Sequence, residues 1–205
     1  MSTIPSIKGS IFSVVVEDTK KLLASGRVSQ REARLWLQPE DLALLEQPIA
    51  ISAWYDIRSY TRMSELMREV EGNGSNEFLR QLGRLTARRL IAGGIYAQME
   101  YLSRVEVLRT QDAAARAAAF GRDLRILNTM SASILSFSRW THSPDPEFSR
   151  RWTIEITEAR DFPEVLAWRS DGFVNEMAAR HSGEDLWTWS RIAPDHIRFR
   201  MIRDI

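Results

Sequence analysis

A chain of 205 residues, 44% hydrophobic and 27% charged, is sized and composed for one soluble globular domain that builds its core without covalent help. It has no cysteine, which excludes disulfides, thiolate metal sites and cysteine nucleophiles. Its net charge of +1 gives no grounds for nucleic-acid binding, no apolar run is long enough for a transmembrane helix, and no basic-then-apolar leader opens it, so a cytoplasmic protein is expected.

The first half reads as helical. In "SQREARLW", Ser29 followed three residues on by Glu32 is a capping box. Pro39 opens a second short helix, "PEDLALLEQ", which Pro48 stops. "SAWYDIRSYTRMSELMREVEGNG" predicts a helix with Ile57, Tyr60, Met63, Met67 and Val70 on one face and Gly72 and Gly74 at its end. Ser75 caps the next, with Phe78, Leu82, Leu85 and Leu90 as its apolar positions and Gly93-Gly94 as its stop. A shorter helix through Tyr96, Met99 and Tyr101 follows, then the alanine-rich "DAAARAAAF" and the helical pattern of "DLRILNTMSASIL".

Near Ser136 the period changes from helix to strand. "RWTIEIT" alternates, with Trp152, Ile154 and Ile156 on one face and Thr153, Glu155 and Thr157 on the other. "ILSFSRWTH" is its hairpin partner across the turn-rich "SPDPEFS". A helix follows through "DFPEVLAWRSDGFVNEMAARHSG", with Asp161 and Glu164 as capping box and Pro163 in its first turn. Gly172 inside it costs about 1 kcal/mol relative to alanine, so a close approach to the sheet or to a ligand is expected there. "WTWSRIAPDHIRFRMI" reads as two strands around an "APDH" turn. Pairing Arg191 with Ile197 puts Trp189 opposite Phe199 and Trp187 opposite Met201, and groups Thr188 and Ser190 with Arg200 and Arg198. A one-residue slip mixes tryptophan with arginine on both faces. The expected fold is α+β: a helical N-terminal half (1–134) packed on a C-terminal antiparallel sheet of about four strands with one crossing helix (135–205), forming a single domain over 1–205.

Little in the residues argues for chemistry. His142, His181 and His196 form no HxH or HxxxH pair, and a metal needs three or four ligands at fixed geometry. No G-x-S-x-G elbow appears. "EGNGSNE" and "AGGIYA" lack the lysine and the strand-to-helix setting of a phosphate loop. A non-catalytic protein without metal or cofactor is expected. One charged feature stands out: Arg80, Arg84 and Arg88, four apart on one helix face. They form either a solvated face, with Glu77 near Arg80, or a site for an acidic partner or anion.

Several short motifs carry a resemblance: Gly9-Ser10, Pro39-Glu40-Asp41, Trp54-Tyr55-Asp56, the Leu82-Gly83-Arg84 helix, and "FPEVLAWRSDGFVNEM" followed by two strands. In this order they resemble a paralogous family expanded in myxobacteria. They are also similar to the wider ligand-binding fold of 4-vinyl reductase domains, haem nitric-oxide-binding domains and TRAPP-type trafficking subunits. The cofactors of that group are not implied here. The cysteine-held zinc of 4-vinyl reductase domains has no ligands in this chain. In "YLSRV", Arg104 stands one place too early for the Tyr-x-Ser-x-Arg motif of haem sensors, and no histidine lies in the preceding helix. What the resemblance implies is a pocket between helices and sheet.

Two functional readings follow. In the first, the chain is a non-catalytic sensory or carrier domain that binds a small apolar molecule, with Trp54, Tyr60, Tyr96, Tyr101, Trp140, Trp152 and Phe173 as candidate lining. This needs a void larger than a water or two between the Trp54–Val70 helix, the Tyr96 segment and the sheet, which Gly172→Leu or Tyr96→Trp would fill. In the second it is an interaction module with a filled core, and Arg80, Arg84 and Arg88 meet a protein partner. Dimeric members of the resembled fold imply a homodimer under either reading.

Overall fold

The computed structural model describes residues 4–93, 113–182 and 184–205. The elements run β1 (Ser6–Lys8), α1 (Gly9–Ala24), α2 (Gln30–Trp36), α3 (Pro39–Glu46), β2 (Trp54–Asp56), α4 (Ile57–Val70), α5 (Asn76–Gly93), α6 (Ala113–Ile134), β3 (Arg139–Pro144), β4 (Trp152–Thr157), α7 (Glu164–Ser182), β5 (Trp187–Ala193) and β6 (His196–Met201). The fold is α+β, as expected. Seven helices lie among the described residues, mostly ahead of a C-terminal antiparallel sheet of order β3-β4-β6-β5. None of them is long and apolar enough to cross a membrane.

Local chemistry sets most helix starts. The Ser29 hydroxyl accepts from the Glu32 N–H at 3.2 Å, and the Glu32 carboxylate accepts from the Ser29 N–H at 2.8 Å, completing the capping box of α2. Pro39 is the first residue of α3. Asp41 is fully buried there; Arg62 of α4 donates to it through Nε at 2.5 Å and Nη2 at 2.8 Å, tying α3 to α4. Burial pushes the Asp41 carboxyl up, but the Arg62 bonds outweigh it and hold the group below its ordinary value.

Three helical expectations are corrected. Trp54–Asp56 is a strand, because it pairs with β1 through Ile7 and Tyr55; the Asp56 carboxylate then accepts the Arg58 N–H at 2.8 Å and α4 starts at Ile57. α7 opens at Glu164, with the Pro163 carbonyl accepting from Leu166 at 3.0 Å and Ala167 at 3.1 Å, so Pro163 rather than Asp161 begins it. The buried side of α5 is Leu79, Thr86, Ala87 and Leu90, whereas Leu85 is 41% exposed. The Tyr96–Tyr101 helix lies outside the described residues.

The register of the last hairpin is the one that separates the two faces: Trp187 pairs with Met201, Thr188 with Arg200, Trp189 with Phe199, Ser190 with Arg198 and Arg191 with Ile197. Trp187, Ile197, Phe199 and Met201 are buried, and Trp189 is half-buried with its ring edge-on to Trp168. On the opposite face Arg198 donates to Glu155 at 2.7 Å, and Glu155 also meets His196 at 2.6 Å. Trp189→Ala is therefore expected to cost about 3 kcal/mol, the low end for aromatic truncation because the ring is half-buried. Arg198→Ala, which breaks one exposed pair, is expected to stay within about 1 kcal/mol. Urea midpoints of the two variants decide it, and equal shifts reject the register.

Asp145, at the end of β3, has a buried side chain that accepts from Arg200 Nε at 2.7 Å and Nη2 at 3.1 Å and from the Glu147 N–H at 2.9 Å. The Arg200 bonds outweigh burial and draw its carboxyl from 3.8 down to about 2. A carboxyl depressed in the folded state stabilises the fold fully above its ordinary value, and that contribution is lost as the pH falls through the folded value. Stability is expected to drop between pH 4 and pH 2. Asp145→Asn, followed by urea unfolding across that window, is expected to flatten the slope; an unchanged slope would show that other carboxylates govern it.

α5 and α7 make the largest contact between any two helices. They cross through two glycines that face each other's backbone. A Cβ on Gly83 would overlap the Arg169 carbonyl, and a Cβ on Gly172 the Arg80 carbonyl. Gly172 thus answers to a neighbouring helix, not to the sheet or to a ligand.

Candidate functional site

Where α7 crosses α5, its next turns face α4, α6 and the edge of the sheet. Side chains of different lengths there leave a cavity of about 70 Å³. Its lining comes from Ile7 of β1, Ile11 of α1, Tyr60 of α4, Gly83 and Thr86 of α5, and Leu127, Met130, Ser131 and Ile134 of α6. Leu135, Trp140 of β3, and Leu166, Arg169, Ser170 and Phe173 of α7 complete it. Most of the lining is hydrocarbon. A water needs roughly 10–15 Å³ of such space, and an engineered cavity of about 150 Å³ takes up benzene. The volume therefore exceeds two waters and suits a molecule of a few heavy atoms.

Of the aromatic candidates, Tyr60, Trp140 and Phe173 come together on this cavity. Trp54 does not: it is 44% exposed with the Lys8 ammonium 4.4 Å over its ring. Trp152 packs against His142, 5.5 Å between rings, away from the lining. Tyr96 and Tyr101 lie outside the described residues.

The polar members Arg169, Thr86, Ser131 and Ser170 were not singled out from the sequence. Arg169 left a signal. It sits three residues after Leu166 and four before Phe173, so a guanidinium interrupts the apolar stripe of α7. It is 5% exposed, Nη1 donates to Tyr60 Oη at 3.4 Å, and Nε and Nη2 have no partner among the described residues.

The arginine stripe of α5 turns toward α7. Arg80 is bonded to Asp171 and, at 2.6 Å, to Asp185; Arg84 is bonded to Asp185; Arg88 donates to Glu176 at 2.7 and 2.9 Å. Burial raises the Asp171 carboxyl despite the facing Arg80. These guanidinia are engaged by carboxylates of the same chain, a pairing invisible until the two helices are packed.

No group of three or more metal-ligating side chains occurs among the described residues. His142 Nδ1 lies 2.7 Å from Asn128 Nδ2, and burial, with Arg125 nearby, lowers its pKa. Two larger concavities, of about 470 and 590 Å³, include the exposed Glu40 and Arg58 and lie on the surface. Their arginines, Arg58 and Arg62, are already bonded to Asp56 and Asp41.

A helical N-terminal part, a C-terminal antiparallel sheet and a cavity between them define the class of fold. Solved structures that superpose on these helices and sheet include H-NOX proteins. The unliganded Fe(II) form of a variant from K. algicida superposes with a TM-score of 0.57 at 10% identity, over 95% of each chain. A variant from T. tengcongensis gives 0.50 at 11% identity, over 97% of this chain and 100% of that one. A structure from work on haem redox potential and porphyrin distortion gives 0.52 at 12% identity, over 95% of this chain and 99% of that one. At such identities the likeness is one of fold. No family model matches the chain and no curated protein matches it, so the resemblance to the myxobacterial paralogues and to 4-vinyl reductase domains gains no support from them.

Proposed function

We propose that this chain is a non-catalytic domain, sensory or carrier in type, that binds a small and largely apolar molecule in the cavity between α4, α6, α7 and β3. The observation that carries the reading is the cavity itself, with mostly hydrocarbon walls and Tyr60, Thr86, Ser131 and Arg169 as polar residues among its lining. A cytoplasmic location and a homodimer belong to the same reading.

The haem of the structural neighbours does not fit the described residues. A ligand of porphyrin size needs some hundreds of Å³, against about 70 Å³ here. Among the described residues the lining holds neither imidazole nor thiolate; His142 faces Asn128 and His196 faces Glu155.

Native mass spectrometry of the protein from its own host tests the proposal. The expected result is a co-purifying mass of a few heavy atoms on a dimer, and no Soret band in the same preparation. Leu127→Phe is expected to remove the bound mass and leave the urea midpoint within about 1 kcal/mol, because the larger ring enters existing space. If Leu127→Phe instead costs about 1–3 kcal/mol, the cost of overpacking a filled core, and wild type carries nothing, the reading falls.

A further inference from the structure

We propose that the cavity is a site for a short-chain monocarboxylate, whose carboxylate is taken by the Nε and Nη2 edge of Arg169 and whose tail lies against Leu127, Met130 and Phe173. The proposal rests on the ligand-binding reading above and adds the charge and size of the ligand.

The argument starts from a guanidinium in the wrong surroundings. Arg169 is 5% exposed. Its Nε and Nη2 are closed off from water with no hydrogen-bond partner among the described residues, and its bond to the Tyr60 hydroxyl is a long one, at 3.4 Å. The Tyr60 ring, 5.5 Å from Cζ, offers a weak cation–π contact. Among the described residues no carboxylate lines the cavity. The neighbouring acid of α7, Asp171, is bonded to Arg80. A guanidinium cannot shed its proton to escape burial, and a buried charge without a partner is costly.

What would satisfy it is defined by geometry. Nε and Nη2 form the edge that binds a carboxylate through two parallel bonds. Arg169 lines the cavity, so a small shift of its long side chain presents that edge to an occupant. The rest of the wall is hydrocarbon, which selects an apolar tail over a free inorganic anion. The volume of about 70 Å³ limits that tail to a few carbons.

The test is calorimetric titration of the full chain with the straight-chain carboxylates from acetate to hexanoate, with 1-butanol, chloride and phosphate as comparators and xenon as a neutral probe of the cavity. Butyrate or a near homologue is expected to bind at least about tenfold more tightly than 1-butanol, the discrimination of a charge-assisted pair. Arg169→Met is expected to erase that difference and to melt no lower than wild type, since it removes an unpaired buried charge. Arg169→Lys, which keeps the charge and loses the fork, is expected to weaken butyrate about tenfold and serves if the methionine variant does not fold. Equal affinity for butyrate and 1-butanol overturns the carboxylate assignment and leaves the apolar site standing. Chloride or phosphate binding as well as butyrate overturns the tail. If neither butyrate nor butanol binds while xenon enters, the carboxylate assignment alone falls; if xenon is also excluded, the ligand-binding reading falls with it. A sharp loss of melting temperature in Arg169→Met overturns the proposal by showing that Arg169 is a structural cation.

Discussion

Gly172→Ala is expected to destabilise the protein by about 3 kcal/mol, the top of the usual range for overpacking. On an isolated helix the same change would stabilise by about 1 kcal/mol, so the sign itself is diagnostic. The reason is the crossing of α5 and α7, where the new Cβ would overlap the Arg80 carbonyl. A carbonyl cannot rotate away as a flexible side chain does; the helices have to separate. That separation loosens the Arg80, Arg84 and Arg88 pairs with Asp171, Asp185 and Glu176. Gly83→Ala is expected to act alike, because its Cβ would overlap the Arg169 carbonyl from the other side. The double variant should cost less than the sum, since the first substitution already parts the helices. Urea midpoints measure all three. A neutral or stabilising Gly172→Ala would mean that the crossing is looser than described.

Asn175→Ala is expected to cost about 3–5 kcal/mol. Asn175 is fully buried on α7. Its Oδ1 accepts the N–H groups of Leu186 and Trp187, each at 2.9 Å, and its Nδ2 donates to the carbonyls of Trp187 and Asp171, each at 3.1 Å. One side chain thereby satisfies both edges of the backbone entering β5. Truncation leaves two buried N–H donors and a carbonyl without partners, at about 1–3 kcal/mol each before relaxation. Asn175→Asp keeps the acceptor but adds a charge beside Asp171, whose Oδ1 lies 3.0 Å from Nδ2. It should be less stable at pH 7 than at pH 5, where the new carboxyl protonates more readily. A cost below about 1 kcal/mol for Asn175→Ala would show that water replaces the side chain.

Some features of the fold were legible because they are local. The Ser29–Glu32 box and Pro39 act within one helical turn. The Trp187–Met201 hairpin has side-chain period two, so one register alone separates indole rings from guanidinia. Helix α4 kept its apolar stripe of Ile57, Tyr60, Met63 and Met67. Trp54–Asp56 misled because a three-residue strand is shorter than any periodicity; only the distant β1 makes it one.

For the site, Tyr60, Trp140 and Phe173 were legible as large aromatics that seek partners, while Trp54 and Trp152, of the same residue type, lie elsewhere. Composition cannot separate them, since each ring's surroundings come from elements far off in sequence, as where Tyr60 meets Arg169 109 positions on. The Arg80–Arg84–Arg88 stripe reads as a free basic face until α7 brings its carboxylates alongside.

The sequence by itself determined the α+β class, the Ser29–Glu32 capping box, the register of the last hairpin and the absence of thiolate chemistry. Each follows from spacing along a few residues or from composition. Only the tertiary structure decided that Gly172 answers to Arg80, that the arginine stripe is paired with carboxylates of the same chain, and that Arg169 is buried beside a cavity of about 70 Å³ with no acid against it among the described residues. Those depend on how α5, α6 and α7 pack, and helix packing is set by the shapes of side chains far apart in sequence, which no local period encodes.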